Sequence, residues 1–140
     1  MDKQIIKIFC DGGSRGNPGP AGVGVVIIEP NKKEDHFKKF IGHKTNNQAE
    51  YEAVLLALEI LGRDYPKNKE IEFYLDSELV VKQLKGEYKI KNEKLGELVK
   101  IINDEIRARG LITNFCHVRR EKNYQADKLV NQAIDSYAQS

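Results

Sequence analysis

Four acidic residues occupy positions where a folded chain rarely leaves a charge without a partner. Asp11 and Asp76 each follow a short apolar run typical of a strand, whereas Glu50 and Asp127 fall near the start of segments with helical periodicity. A carboxylate beside an apolar stripe must form a pair, shift its pKa or bind a cation. Brought together, the four would repel one another unless metal ions lay between them. They are the candidate catalytic and metal-binding residues of the chain.

Taken singly, each acid also has an ordinary structural explanation. Asp11 can be a turn aspartate, Glu50 an acid in the first turn of a helix, Asp76 a helix N-cap, and Asp127 a solvated helical position. Spacing along the sequence cannot bring the four together. Only the fold can, so the elements that carry them have to be predicted first.

The first third of the chain predicts three strands in a meander. The apolar, β-branched runs are residues 5–10, ending at Asp11-Gly12-Gly13, then 23–28 and 37–41, with a hairpin turn at 30–33. From Asn46 the apolar period becomes helical and predicts a long helix that ends near Gly62, with Thr45 and Gln48 as a capping box.

The remaining chain alternates strands and helices. We predict a strand at 71–75, a short helix at 78–84 that begins after Ser77, a helix at 94–109, a strand at 112–118, and a final amphipathic helix. The order β-β-β-α-β-α-α-β-α is typical of one α/β layered domain over residues 1–140. The later strands, which are joined by helices, are expected to run parallel.

The composition excludes several protein classes. A chain of 140 residues with 40% hydrophobic and 31% charged residues resembles a globular domain rather than a disordered or collagenous protein. No apolar run approaches the roughly 18 residues needed to cross a bilayer, and the N-terminus lacks the pattern of a signal peptide. We therefore expect a cytoplasmic protein with no membrane partner. Cys10 and Cys116 are expected to be small buried apolar residues, although a disulfide between them stays open.

The net charge of +2 is too small to indicate a nucleic-acid partner by itself. The local distribution is more informative: five lysines lie between Lys82 and Lys94, and residues 119–122 form a second basic cluster. Charge alone does not distinguish a phosphate-binding surface from an ordinary solvated face.

Four sequence blocks resemble the motifs of one enzyme family. Residues 11–19, Asp-Gly-Gly-Ser-Arg-Gly-Asn-Pro-Gly, resemble the first-strand motif of type 1 ribonucleases H, and the pattern continues at 45–51, 75–77 and 123–129. The blocks lie in the family order and span nearly the whole chain. The lysine-rich stretch and the short length look like the archaeal-type short form, which has no basic handle.

The resemblance implies a fold, a reaction and a cofactor. The fold is the RNase H-like α/β fold, a five-stranded mixed sheet of three antiparallel and two parallel strands flanked by helices. Asp11, Glu50, Asp76 and Asp127 are implied as the catalytic quartet of a two-ion Mg²⁺ site, with Mn²⁺ as a substitute. Two such ions, roughly 3.5 to 4 Å apart, would promote in-line hydrolysis of the RNA strand of an RNA/DNA hybrid, leaving 5′-phosphate and 3′-hydroxyl ends.

The resemblance also implies substrate contacts. Contacts to ribose 2′-hydroxyls, which distinguish RNA from DNA, fall to the Gly-rich segment and to the residues before the catalytic glutamate: Gly12, Gly13, Asn17, Asn46, Asn47 and Gln48. Phosphate contacts fall to basic residues: Lys85, Lys89, Lys91, Arg119 and Arg120. Without the other blocks, residues 12–19 would be a hairpin connection and the asparagines helix caps. Duplex RNA is a second candidate partner, and a monomer is expected.

The chain departs from the longer bacterial family members at the proposed site. Their flexible loop histidine has no equivalent in residues 119–123, and Arg120, Glu121 and Lys122 remain open as its replacement. His117 is expected to be a structural residue, and His36 and His43 surface residues of a strand. Glu78 follows Asp76-Ser77 where those enzymes have glutamine, which leaves that contact open.

Three other functions remain as alternatives. The first is a binding module for hybrids or duplex RNA that keeps the fold without turnover. The second is a DNA-acting relative, such as an integrase or transposase core, against which the Gly-rich and Asn-Asn blocks argue. The third is an α/β domain that does not contact nucleic acid. The presence of all four acids favours the enzyme.

Overall fold

A computed structural model describes residues 4–62 and 70–138. Its elements follow the predicted order, with an added short 3₁₀ turn before the last helix. They are β1 (Ile5–Ser14), β2 (Gly19–Ile28), β3 (Glu34–Lys44), α1 (Asn46–Leu61), β4 (Glu70–Leu75), α2 (Glu78–Leu84), α3 (Glu93–Ala108), β5 (Ile112–His117), the 3₁₀ turn (Arg120–Asn123) and α4 (Tyr124–Ala138).

The strands form one mixed sheet in the order β3-β2-β1-β4-β5. β1, β2 and β3 pair antiparallel, whereas β4 runs parallel to β1 and β5 parallel to β4. This confirms the predicted five-stranded mixed sheet. The parallel pairs place the carboxyl ends of β1, β4 and β5 at the same edge of the sheet.

Helices cover the two faces of this sheet. Val23 and Val25 of β2 point into the main apolar core, which the sheet shares with α1, α2 and α3. Gly22 and Gly24 point the other way, because side chains alternate along a strand, and they lie against α4. The sheet is therefore a middle layer.

β1 is longer than the sequence predicts. The apolar run predicts an end at Cys10, but the pairing with β2 continues through Asp11 and Gly12 to Ser14. Gly12 is not a turn residue, because a Cβ at this position would overlap the carbonyl of Ala49 in α1. The glycine permits a close approach of backbone to backbone within a strand. The connection to β2 instead lies at residues 15–18. β2 and β3 likewise exceed their predicted bounds.

α1 begins with the predicted capping box. The Thr45 hydroxyl accepts a hydrogen bond from the Gln48 backbone N–H at 3.2 Å, and Gln48 Oε1 accepts one from the Thr45 backbone N–H at 3.0 Å. Two orphan amide groups are thereby satisfied. The helix ends at Gly62, also as predicted.

Cys10 and Cys116 are free thiols. Cys10 is buried in the core, as predicted, and its burial raises the pKa of its thiol. Cys116 is only half-buried, so it fits the prediction of a core residue less well.

Among the helices of the described ranges, none has both the length and the apolar character that a bilayer crossing requires.

Candidate active site

The register between β1 and β4 brings Asp11 and Asp76 to the same level. Phe9 pairs with Tyr74, and their rings stack with centroids 4.8 Å apart. Asp11 and Asp76 come two residues after Phe9 and Tyr74, respectively. Asp76 is not the N-cap of α2, because the Ser77 hydroxyl accepts the capping hydrogen bond from Val80 N–H at 3.3 Å. The Asp76 carboxylate is thus not used for capping.

α1 contributes Glu50 from the helix that lies against Gly12. The close contact between Gly12 and Ala49 places the next helical residue, Glu50, beside the end of β1. One carboxylate oxygen from each of Asp11, Glu50 and Asp76 lies within 4.8 Å of the others. Asp127, in the first turn of α4, lies outside this compact group but lines the same cavity of about 390 Å³. The structure therefore brings the four predicted acids to one place.

Burial and mutual repulsion make this cluster costly without a cation. Asp11 is only 9% exposed, and burial, followed by the charges of Asp76 and Asp127, raises its pKa to about 8. Burial and the charge of Asp76 raise the pKa of Glu50 to about 7, although a hydrogen bond from Ser77 and the charge of Arg120 oppose this. A divalent cation would neutralise the buried negative charges and so remove the repulsion between them. Carboxylate oxygens are the ligands that Mg²⁺ prefers. The donor set fits such an ion.

Asn123 is a buried polar residue in the last of the four family motifs, and no role was predicted for it. It is 1% exposed, and its Nδ2 donates to the Cys10 carbonyl at 2.9 Å and to Asp76 Oδ2 at 3.2 Å. Its position before a helix is visible in the sequence, but its burial depends on how α4 packs on the sheet. No sequence signal distinguishes it from an exposed asparagine.

Two arginines lie at the same cavity as the acids. Arg15 Nη1 forms an ion pair with Asp135 of α4 at 2.7 Å. Arg120 was a predicted phosphate ligand, and its charge acts on Glu50. Arg119, which was also predicted, is exposed and is not among the residues that line the cavity.

The predicted ribose-contacting residues divide between two cavities. Gly12, Gly13 and Asn46 line the cavity of the acids. Asn46 also fixes the Gly-rich segment, because its Oδ1 accepts from Ser14 N–H at 2.9 Å and its N–H donates to Asn17 Oδ1 at 3.0 Å.

The second cavity, of about 740 Å³, lies between the starts of α1 and α3. The predicted residues Asn17, Asn47 and Gln48 line it, together with Asn92 and Lys94 at the start of α3. These last two were not predicted as site residues. The amide side chains and Lys94 offer hydrogen-bond donors to a polar ligand at this place, and Glu93 adds one negative charge to the lining.

The predicted lysines lie elsewhere. Lys85, Lys89 and Lys91 are exposed in the segment between α2 and α3 and line neither cavity.

His36 and His43 are exposed on β3, as predicted. His117 is exposed at the end of β5 and does not line the cavity of the acids.

Comparison with known proteins identifies relatives over most of the chain. A family model described as "Reverse transcriptase-like" matches residues 9–133. A bifunctional protein of Mycobacterium tuberculosis is 37% identical over 96% of this chain and 37% of its own length. Ribonuclease HI of Halobacterium salinarum is 40% identical over 93% of this chain and 64% of its own length. The chain thus spans less than two thirds of these curated relatives.

A solved structure matches over nearly its whole length. It is LC11-RNase H1 in complex with an RNA/DNA hybrid, which is 45% identical and covers 95% of this chain and 99% of its own, with a TM-score of 0.91. The sheet order, the cluster of acids and this agreement in sequence and fold lead to the same result: the chain belongs to the ribonuclease H family, as a member of its type 1 class.

Proposed function

We propose that this protein is an endoribonuclease that hydrolyses the RNA strand of RNA/DNA hybrids with the help of a divalent cation. The observation that carries the proposal is the group of carboxylate oxygens of Asp11, Glu50 and Asp76, all within 4.8 Å of one another. Such a group is costly for an apo fold and suited to a cation-dependent phosphodiesterase. The family relationship and the hybrid bound to LC11-RNase H1 support the choice of substrate.

The ion is proposed to be Mg²⁺, with Mn²⁺ as a substitute. Asp11, Glu50 and Asp76 would hold it, with Asp127 beside Asp11. Such an ion, when bound, lowers the pKa of a water molecule and neutralises charge on the scissile phosphate. The second ion implied by the family resemblance stays a prediction.

The side chains of the site have separate tasks in this proposal. Near neutral pH the metal-free Asp11 and Glu50 carboxyl groups retain part of their protons, so cation binding releases protons from these two groups. Arg120 and Arg15 offer positive charge at the wall of the cavity, where a phosphate backbone has to approach. No protein nucleophile is needed.

Recognition of the hybrid is proposed to use both cavities. Gly13 and Asn46 at the acids, and Asn17, Asn47 and Gln48 at the second cavity, offer amide groups to ribose hydroxyls or phosphates. Asn92 and Lys94 extend this surface. Lys85, Lys89, Lys91 and Arg119 would add sequence-independent attraction at longer range. For Gly12 the observed contact with Ala49 gives a structural role, and a substrate contact stays a prediction.

Three further expectations accompany the proposal. Residues 1–140 are proposed to act as one catalytic domain, the protein is expected to be a monomer, and its location is expected to be cytoplasmic. Duplex RNA is proposed as a second candidate substrate.

The experiment compares labelled RNA/DNA, RNA/RNA and DNA/DNA duplexes with Mg²⁺, with Mn²⁺ and in excess chelator. We expect cutting of the RNA strand of the hybrid only when a divalent cation is present, with 5′-phosphate and 3′-hydroxyl ends. Binding of the hybrid without cutting would favour the non-catalytic module, and cutting of DNA/DNA would favour a DNA-acting relative. Full activity in chelator would overturn the metal assignment.

A further inference from the structure

Asn123 lies where three parts of the candidate site meet. It ends the 3₁₀ turn after β5 and directly precedes α4, four residues before Asp127. Its side chain is 1% exposed and contacts Cys10 within β1 and Asp76, the residue that follows β4. The Asn123 amide group therefore contacts the segments that carry Asp11 and Asp76. Asn123 itself belongs to the segment that carries Asp127.

The two hydrogen bonds fix how the amide group is oriented. Nδ2 uses its two hydrogens on the Cys10 carbonyl at 2.9 Å and on Asp76 Oδ2 at 3.2 Å. Both partners are acceptors. A flipped amide would place Oδ1 against these two oxygens and would lose both bonds, so only the observed orientation is compatible with its neighbours.

We infer that Asn123 is a positioning residue for the cation-binding carboxylates. It holds one oxygen of Asp76 and the carbonyl of the residue before Asp11, so the rotation of the Asp76 carboxylate is fixed relative to β1. The inference rests on the proposed function for its kinetic part. Asn123 is not itself placed among the groups that touch the substrate.

A purely structural role explains the residue less well. A buried asparagine selected for stability would have both ends of its amide satisfied, because an unmet buried acceptor is costly. Asn123 Oδ1 is buried and has no hydrogen-bond partner among the described protein atoms. Its partner Asp76 is only half-buried and remains accessible to solvent. The Asn123 Nδ2 group therefore orients the Asp76 carboxylate and is not required to compensate Asp76 for loss of solvent.

The test replaces Asn123 by leucine, which has a similar size and no donor. We expect kcat on the hybrid to fall by about 10-fold or more with KM within about 3-fold of wild type, and the affinity for Mn²⁺ to fall by about 10- to 100-fold. Mn²⁺ affinity is measured without nucleic acid, from the rise in Tm during a Mn²⁺ titration. Val99→Ala in α3 is the control, since Val99 is a buried core residue that does not line the cavity of the acids, and its truncation should lower Tm alone.

A double-mutant cycle makes the test specific. In a background of Asp76→Asn, Asn123→Leu should cause little further loss of Mn²⁺ affinity, because the carboxylate it positions is gone. Asn123→Ser, which is smaller and keeps one donor, covers the case in which the leucine variant does not fold. For this variant we expect smaller losses of kcat and of Mn²⁺ affinity than for Asn123→Leu.

The outcomes separate this inference from the proposed function. If wild type binds Mn²⁺ but does not cut the hybrid, the proposed function fails while the Mn²⁺ titration still decides the role of Asn123. Unchanged Mn²⁺ affinity and kcat in variants whose Tm falls as in Val99→Ala would overturn the inference. A wild-type protein whose Tm does not respond to Mn²⁺ would overturn it as well.

Discussion

Gly12 lies against the carbonyl of Ala49 so closely that a Cβ on the glycine would overlap the helix backbone. This contact sets the distance between β1 and α1 at the level of Asp11 and Glu50. The distance between Asp11 and Glu50 thus depends on the absence of a Cβ at position 12.

Gly12→Ala should therefore force α1 away from β1. We expect a loss of about 1–3 kcal/mol in the free energy of unfolding, measured by urea denaturation, together with reduced hybrid cutting. Gly96→Ala is the matched control, because Gly96 is helical and a Cβ there would meet nothing within 4 Å. That change should be neutral or stabilising by up to about 1 kcal/mol. Equal stability of Gly12→Ala and wild type would contradict the packing argument.

The stability of the metal-free protein should fall as the pH rises from about 5 to about 8. The ordinary pKa values of Asp11 and Glu50 are 3.8 and 4.5, and the fold raises them to about 8 and about 7. The native state then binds more protons than the unfolded state in this window, so the free energy of unfolding decreases with rising pH. Mg²⁺ added at pH 8 should restore stability, because it replaces the released protons.

Urea unfolding in chelator, repeated at several pH values, measures this dependence. Asp11→Asn should remove most of the slope. Asp104→Asn should not, because Asp104 lies on α3 in an ion pair with Arg107. A stability that increases between pH 5 and pH 8 would show that the cluster does not carry the buried charge we describe.

Neutralising single acids of the cluster should separate activity from folding. Asp11→Asn and Asp76→Asn keep the side-chain shape and remove a cation ligand, so we expect hybrid cutting below about 1% of wild type with the fold retained. Initial rates and circular dichroism measure the two quantities. Asp11→Asn should also raise Tm in chelator at pH 8, since a costly buried charge is gone. Substantial cutting by either variant would remove that residue from the cation site.

The exposed lysines between α2 and α3 should act through charge alone. Replacing Lys85, Lys89 and Lys91 by glutamine should raise KM and flatten its salt dependence, by about 0.9 in the log–log slope for each phosphate that a lysine no longer neutralises. Lys32 and Lys33 provide the control, because the β2–β3 turn lies at the opposite end of the sheet from the acids. An unchanged slope would exclude the lysines from the binding surface.

The sequence predicts the order of the helices and strands well because these elements leave local patterns. Apolar periodicity located α1, and the capping pair Thr45 and Gln48 marked its start. Local patterns failed where tertiary contact decides the conformation. Gly12 and Gly13 resemble a turn, yet they continue β1, because Gly12 packs under α1 and Gly13 pairs with Gly22.

The same limit applies to the surroundings of the acids. Nothing near Asn123 in the sequence indicates that its amide contacts Asp76, which is 47 residues away. Asn92 and Lys94 likewise join Asn47 only because α3 begins beside α1. The acids were predictable as a set through the family motifs, whereas their neighbours required the fold.

α4 rests on β2 at Gly24, where a side chain would collide with the carbonyl of Ala126. The last helix thus completes a site whose first three carboxylates come from earlier parts of the chain. During synthesis on the ribosome, a nascent chain that has not yet released residues 123–127 carries Asp11, Glu50 and Asp76 without Asn123 or Asp127. We therefore expect the nascent polypeptide to lack the proposed activity on hybrids until α4 emerges and packs on the sheet.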